Sequence, residues 1–172
     1  MISLSVNINK VATLRNARGA NTPDLLEVAK DLERFGAQGI TIHPRPDQRH
    51  IRYKDVFELP SVLTTELNIE GNPIPEFIEM VLKIKPTQVT LVPDARDAIT
   101  SNSGWDTLKH KAFLKSSINQ LKAEGIRTSI FVDPLIEMVE GALETGTDRI
   151  ELYTEAYAAE YSVNPQKAID PY

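Results

Sequence analysis

Short runs of apolar and β-branched residues alternate along the chain with longer stretches in which apolar residues recur at helical spacing. The short runs predict β-strands, and the continuous apolar centre at residues 130–132 is typical of a strand buried on both faces. The six predicted strands span residues 2–8, 38–44, 65–71, 87–93, 127–133 and 148–154. Amphipathic helices are predicted between them at residues 21–36, 75–86, 106–125 and 134–146.

Three local features refine this pattern. Thr22 is predicted to cap the first helix, with Pro23 at its first position and Gly36 at its end. Residues 6–19 begin as a strand and are predicted to continue as a long basic loop. Residues 161–172 are predicted to lie in a sixth helix.

The alternation of strands and helices, without a linker, predicts a single parallel α/β domain over residues 1–172. Polar residues cluster at the carboxyl ends of the strands, which is typical of a (β/α)8 TIM barrel. A doubly wound sheet would give a similar pattern, but no glycine-rich nucleotide motif supports it. Six strands do not close an eight-stranded barrel, so we expect a barrel of about six β/α units that is incomplete at its C-terminal side.

The composition excludes or disfavours several classes of function. The 172 residues carry a net charge of −5, which disfavours a broad nucleic-acid or anionic-membrane surface. Cysteine is absent, which excludes disulfides, thiolate metal sites and cysteine catalysis. No apolar run approaches the length of a membrane span, and the N-terminus does not resemble a signal peptide. A cytoplasmic protein is therefore expected.

The segment 39–52 is the strongest local indication of chemistry. His43 lies where a predicted strand ends, and Arg45, Arg49 and His50 follow within seven residues. A histidine at this position can transfer protons near neutral pH, and arginines can bind a phosphate or carboxylate. A solvated charge cluster in a surface loop explains the same residues. No ligand spacing supports a metal site.

Two further segments carry candidate side chains. Asn7 and Asn9 would lie on one side of the first strand, and Arg15 and Arg18 could contact an anion or remain solvated. Asn68 and Glu70 lie on one face of the third strand. A carboxylate in a barrel mouth is costly unless it is paired or functional.

Several long motifs, taken together, resemble pyridoxine 5′-phosphate synthase of the deoxyxylulose-dependent vitamin B6 pathway. The resemblance covers residues 3 to about 160, in the family's order and close to its spacing. The motifs are VNINKVATLRNARG, GITIHPRPDQRHI, LNIEGNP, LVPDARDAITSNSGWD and IELYTEAYA.

The resemblance implies a (β/α)8 barrel that condenses 1-deoxy-D-xylulose 5-phosphate with 3-amino-1-hydroxyacetone 1-phosphate. The products are pyridoxine 5′-phosphate, inorganic phosphate and water, and the chemistry is proton transfer and electrostatic stabilisation. The family uses no metal and no organic cofactor. The resemblance also implies ring-like homo-oligomers, octamers in the family. From charge and hydropathy, no nucleic-acid or membrane partner is expected.

The resemblance also implies roles for individual residues. His43 and Glu70 match catalytic acid/base groups, and Glu151 matches a glutamate that stabilises cationic or transition-state species. The matches to substrate-binding positions are Asn7 and Arg18 for the amino-ketone phosphate, and Arg45, His50 and Thr100 for the deoxyxylulose phosphate. Asn9 and Lys10 are assigned to the same substrate-binding set, although many members carry an Asp-His pair there.

The chain departs from the family's pattern in one further respect, and two alternative functions remain open. The family's third catalytic histidine and its glycine-rich phosphate loops follow strand seven, whereas the last histidine and glycine here are His110 and Gly146. A non-catalytic barrel fragment that binds a phosphosugar is one alternative. Another is a phosphosugar aldolase or epimerase, which would require a Schiff-base lysine or a metal cluster at the strand ends.

Overall fold

Six parallel strands form one sheet in which the strands lie in chain order. The computed structural model describes residues 2–94 and 101–172. The strands are β1 (Ser5–Asn7), β2 (Gly39–Ile42), β3 (Glu66–Gly71), β4 (Gln88–Leu91), β5 (Arg127–Val132) and β6 (Arg149–Leu152). The helices are α1 (Asn9–Arg18), α2 (Leu25–Arg34), α3 (Tyr53–Glu58), α4 (Pro75–Ile84), α5 (Lys111–Ala123), α6 (Ile136–Thr145), α7 (Glu155–Tyr161) and α8 (Pro165–Ile169), with a 3₁₀ turn at Leu59–Ser61.

The strand order distinguishes between the two predicted architectures. A doubly wound sheet reverses its strand order at a switch point, whereas here each strand pairs with the next one along the chain from β1 to β6. The sheet is a curled half-barrel with helices between its strands. The prediction of a (β/α) barrel with about six units is confirmed.

The outer face of the sheet carries the hydrophobic core. In β2 to β5 the outward-pointing side chains are fully or almost fully buried against the helices, and they include Ile40, Ile42, Leu67, Ile69, Val89, Leu91, Ile130 and Val132. Alternation along each strand puts the neighbouring side chains on the inner face. The prediction that the fifth strand is buried on both faces is confirmed, since residues 128–132 are all buried, although the inner face of the sheet is largely polar.

The inner face is a connected network of polar side chains. Asn68 is at its centre, since its carboxamide oxygen accepts from Thr90 at 3.1 Å and its nitrogen donates to Thr41 at 3.4 Å. The Thr41 hydroxyl reaches Ser5 at 2.8 Å, so the network links β1 to β4. Polar groups buried in a barrel need such partners, and here they form a hydrogen-bonded layer beneath the carboxyl ends of the strands.

The prediction of a long basic loop in residues 6–19 is wrong, because helix α1 begins at Asn9. Asn9 is therefore not a strand residue on the same side as Asn7; instead, the Asn7 carboxamide oxygen accepts from the Asn9 backbone N–H at 2.9 Å. Helix α1 ends at Gly19, whose φ of 74° suits glycine. The helix was missed because it buries just two of its residues, Ala12 and Arg15, and so lacks an apolar stripe.

Two other helix predictions are corrected. Asp24, rather than Thr22, caps α2, because its carboxylate accepts from the backbone N–H groups of Leu26 and Glu27. The predicted sixth helix is two short helices, α7 and α8, and Asn164 caps the second. Helix α3 was not predicted.

None of the helices in the described part of the chain has the length and apolar character that crossing a membrane requires.

Candidate active site

His43 and Glu70 lie side by side at the carboxyl ends of β2 and β3. The His43 Nδ1 atom is 3.9 Å from the Glu70 Oε2 atom, and the two side chains are 9% and 13% exposed. The parallel pairing of β2 with β3 brings them together, because both side chains alternate onto the inner face. The His43 backbone N–H donates to the Asn9 carboxamide oxygen at 2.9 Å, which ties the end of β2 to α1.

The surroundings shift the two pKa values in opposite directions. Burial, helped by the nearby Arg45 guanidinium, lowers the pKa of His43 to about 4. Burial raises the pKa of Glu70 to about 8, with help from the negative charges of Glu151 and Asp94. At neutral pH the pair is therefore a neutral imidazole facing a protonated carboxylic acid, that is, a potential base beside a potential acid.

Glu151, in β6, is the third carboxyl group of this site. Burial raises its pKa, while a hydrogen bond from Thr90 acts in the opposite direction. The Thr90 hydroxyl also lies 3.1 Å from the Asn68 carboxamide oxygen, so the polar layer of the inner face extends to Glu151. A cation that entered between Glu70 and Glu151 would favour the ionised form of both groups.

Arg45 and His50 are the candidate anion-binding groups of the site. Arg45 is buried and its guanidinium lies 2.6 Å from the Asp94 carboxylate. The His50 Nδ1 atom accepts from the Ile51 backbone N–H at 2.9 Å, so a neutral His50 carries its proton on Nε2 and can donate it to a ligand. The His50 ring centroid is 6.3 Å from that of His43, so the candidate anion-binding histidine lies next to the candidate acid/base histidine.

Three cations lie around His50, and two of them are paired with carboxylates, Arg45 with Asp94 and Arg49 with Asp47. Burial lowers the pKa of His50, and the neighbouring cations Arg45, Arg49 and Lys10 lower it further. Asp47 opposes this effect, and its carboxylate is 2.6 Å from the Arg49 guanidinium. A cluster of cations at the mouth of a half-barrel favours a phosphorylated ligand over a neutral one.

A cavity of about 400 Å³ opens beside these residues. His43, Arg45 and Asp94 line one side of it. Further lining comes from α3, α4 and the segment that precedes α4; its apolar side chains are Tyr53, Phe57, Ile74, Phe77 and Met80, and its charged ones are Glu76, Glu79 and Lys83. This volume lies within the range of small-molecule sites, in which a few polar groups converge on a largely apolar wall.

Three of the other predicted site residues are on the surface of β1 and α1. Asn7, Lys10 and Arg18 are exposed, Asn7 at the end of β1 and the other two on α1. Thr100 lies outside the described residues. Arg15, which was predicted to contact an anion or remain solvated, is buried, and the anion that it binds is the Asp55 carboxylate of this chain at 2.7 Å.

Asp94 and Asn72 are the site residues whose contacts sequence reasoning missed. Asp94 binds Arg45 and accepts from the Ser101 hydroxyl at 2.7 Å, and its backbone carbonyl accepts from the Asn72 side chain at 3.0 Å. Asp94 follows the end of β4 by three residues, which indicates that it lies near the carboxyl ends of the strands but not which residue it binds. Within residues 2–94 and 101–172, no three histidine, aspartate or glutamate side chains group as metal ligands would.

The shifted pKa of Glu70 predicts how stability depends on pH. Because this carboxyl has a higher pKa in the folded chain, the folded state binds more protons and loses stability as pH rises from about 4.5 to about 8. The lowered pKa of His43 has the opposite effect, but only between about 4 and 6.5. Between pH 6.5 and 8 we therefore expect wild-type stability to fall relative to Glu70→Gln, with a limiting slope of about 1.4 kcal/mol per pH unit.

Urea unfolding of both proteins at pH 6.5, 7.0, 7.5 and 8.0 measures this difference. Taking the difference between the two curves cancels the titration of shared groups that do not interact with Glu70. If the free energies of unfolding of the two proteins change by the same amount with pH over this interval, the pKa of Glu70 is not raised.

Comparison with known proteins places the chain in a family. The model of the family described as "Pyridoxal phosphate biosynthesis protein PdxJ" matches residues 4–171. The pyridoxine 5′-phosphate synthase of Flavobacterium johnsoniae is 65% identical over 172 residues, which cover 100% of this chain and 73% of the relative. The proteins of the same name from Christiangramia forsetii and Cytophaga hutchinsonii are 64% and 63% identical, with 73% and 72% of their lengths covered.

Solved structures resemble the fold at much lower identity. A mandelate oxidase variant with benzaldehyde has a TM-score of 0.62 at 10% identity, over 97% of this chain and 59% of that one. A flavocytochrome b2 variant with benzoylformate has a TM-score of 0.62 at 13% identity, over 98% and 46%. The chain thus spans about half the length of these barrels, and at this identity the likeness concerns the fold alone. On the family match and the identity to its curated members, the chain belongs to the PdxJ family of pyridoxine 5′-phosphate synthases, which are enzymes.

Proposed function

We propose that this protein condenses 1-deoxy-D-xylulose 5-phosphate with 3-amino-1-hydroxyacetone 1-phosphate to form pyridoxine 5′-phosphate, with release of inorganic phosphate and water. The observation that carries the proposal is the buried pair of His43 and Glu70, with opposite pKa shifts, next to Arg45 and His50. An acid and a base beside an anion-binding side suit a reaction between phosphorylated carbonyl compounds.

The protonation states suggest how the work is divided. A neutral His43 accepts a proton from the substrate carbon or nitrogen that loses it during imine formation and rearrangement. A protonated Glu70 donates a proton to the oxygen that leaves as water, and each group then reverses its role in a later step. Glu151 lies next to Glu70 and stabilises a cationic iminium intermediate, because a positive charge favours the ionised carboxylates.

The two substrates are assigned to two sides of the site. Arg45, His50 and Thr100 are proposed to hold the deoxyxylulose phosphate, since Arg45 and His50 offer a guanidinium and an Nε2–H donor. Asn7, Asn9, Lys10 and Arg18 complete the substrate-binding set. The single-domain organisation with an incomplete barrel and the homo-oligomer stay predictions.

The function is tested by incubating the full-length protein with both substrates and with each one separately. We expect pyridoxine 5′-phosphate and inorganic phosphate to form in equal amounts, and only when both substrates are present. Turnover of one substrate alone would favour the aldolase or epimerase alternative. Binding of the deoxyxylulose phosphate without any turnover would favour the binding protein, and either result would contradict the proposal.

A further inference from the structure

Helix α1 contains a buried arginine whose side chain faces the segment that follows β2. Arg15 is 1% exposed, and its Nη1 and Nη2 atoms donate to the two carboxylate oxygens of Asp55 at 2.7 and 2.9 Å. Bidentate pairing of this kind holds both groups in one geometry. Such a pair does not by itself indicate a stabilising role, because apolar residues can often replace a buried ion pair without loss of folding stability.

The same arginine and its neighbour hold backbone carbonyls of the His50 segment. The Arg15 Nη2 atom donates to the His50 carbonyl at 3.2 Å, and the Asn16 side-chain nitrogen donates to the carbonyls of His50 at 2.8 Å and Arg49 at 3.1 Å. The Asn16 oxygen accepts from Arg15 Nε at 3.2 Å, so the two side chains act as one unit. These contacts join residues more than 30 positions apart in the sequence.

A second attachment joins α1 to the start of the same segment. The Asn9 oxygen accepts from the His43 N–H at 2.9 Å, while Asp55 accepts from the Arg52 N–H at 2.8 Å and so caps α3. Helix α1 thus holds the segment 43–52 near both of its ends. The distance between the acid/base group and the anion-binding histidine depends on these two attachments.

We infer that Arg15 and Asn16 are positioning residues that orient His50 for anion binding. The inference deepens the proposed function and rests on it for the identity of the ligand. The carbonyl contacts hold the backbone of His50, whose Nδ1 accepts from the next N–H, and the Nε2–H is thereby directed at the ligand. Neither Arg15 nor Asn16 needs to touch substrate.

The first test is Asn16→Ala, which removes two hydrogen bonds to the segment and leaves no unpaired buried charge. We expect Kd for 1-deoxy-D-xylulose 5-phosphate, measured by calorimetry, to rise about tenfold, equal to roughly 1.4 kcal/mol. KM for this substrate rises in parallel, while kcat changes less than about twofold. Asn164→Ala is the matched control, since it removes the cap of α8 and should leave Kd unchanged.

A second variant separates positioning from stability. Arg15→Met combined with Asp55→Asn removes both buried charges together, and the new carboxamide would keep an oxygen acceptor for the Arg52 N–H. We expect the same rise in Kd even if thermal stability is kept. A wild-type Kd in both variants, whatever their melting temperatures, would overturn the inference and leave Arg15 as a structural residue.

NMR of the histidine side chains tests the positioning of His50 separately from the proposed function. In Asn16→Ala we expect the imidazole nitrogen shifts of His50 to change, while those of His110, which packs on Trp105, do not. If the wild-type protein neither binds nor turns over the deoxyxylulose phosphate, the proposed function fails, yet the His50 shifts still report the positioning. Unchanged His50 shifts would contradict the positioning role itself.

Discussion

Replacement of His43 with alanine is expected to lower kcat by about 10²- to 10⁴-fold, the range that a positioned proton-transfer group contributes. The imidazole is neutral at neutral pH, lies 3.9 Å from the Glu70 carboxyl and lines the cavity. Alanine keeps the backbone N–H that donates to Asn9, so the end of β2 keeps its attachment to α1. Steady-state kinetics with both substrates measure the loss, and thermal unfolding checks that the variant folds.

His110→Ala is the matched control for this substitution. His110 is also partly buried, but its ring packs against Trp105 at 5.3 Å, on a different part of the fold. We expect its kcat to stay within about twofold of the wild type, since it makes no contact with the reacting groups. Equal activity of the His43 and His110 variants would show that His43 is not a catalytic group.

The sheet was predictable from the sequence because its outer face is apolar. Each strand presents β-branched and leucine side chains to the helices, so short apolar runs located all six strands. Helix α1 was not predictable in this way, because it buries an alanine and a charged arginine instead of an apolar stripe. The rule that buried surface is apolar fails where a buried cation has a carboxylate partner, as Arg15 has in Asp55.

The grouping of the candidate site was also predictable, whereas its pairings were not. His43, Arg45 and Glu70 follow or end neighbouring parallel strands, and the carboxyl ends of such strands meet at one face. The partner of Arg45 is Asp94, 49 positions along the chain, and no local pattern indicates that pair. The resemblance to a family supplied the roles of His43, Glu70 and Glu151, and those roles stay predictions until the variants are measured.

The second large effect is expected for Glu70→Gln, which removes a proton donor while keeping the shape of the side chain. We expect kcat to fall by about 10²- to 10⁴-fold at neutral pH, because the carboxyl is protonated there and glutamine cannot give up a proton. The pH profile adds a readout that misfolding would not imitate. In the wild type, kcat/KM should fall above about pH 8, where Glu70 ionises, and the residual activity of the variant should lack this limb.

Glu66→Gln is the matched control because it makes the same change on the same strand. Glu66 lies at the opposite end of β3 and pairs with Arg127, away from the cavity. Its kcat should stay within about twofold of the wild type, with the high-pH limb intact. If Glu70→Gln keeps both its kcat and that limb, the group that ionises near pH 8 is not Glu70. Proton donation would then have to be assigned to another group, and the buried pair with His43 would be structural.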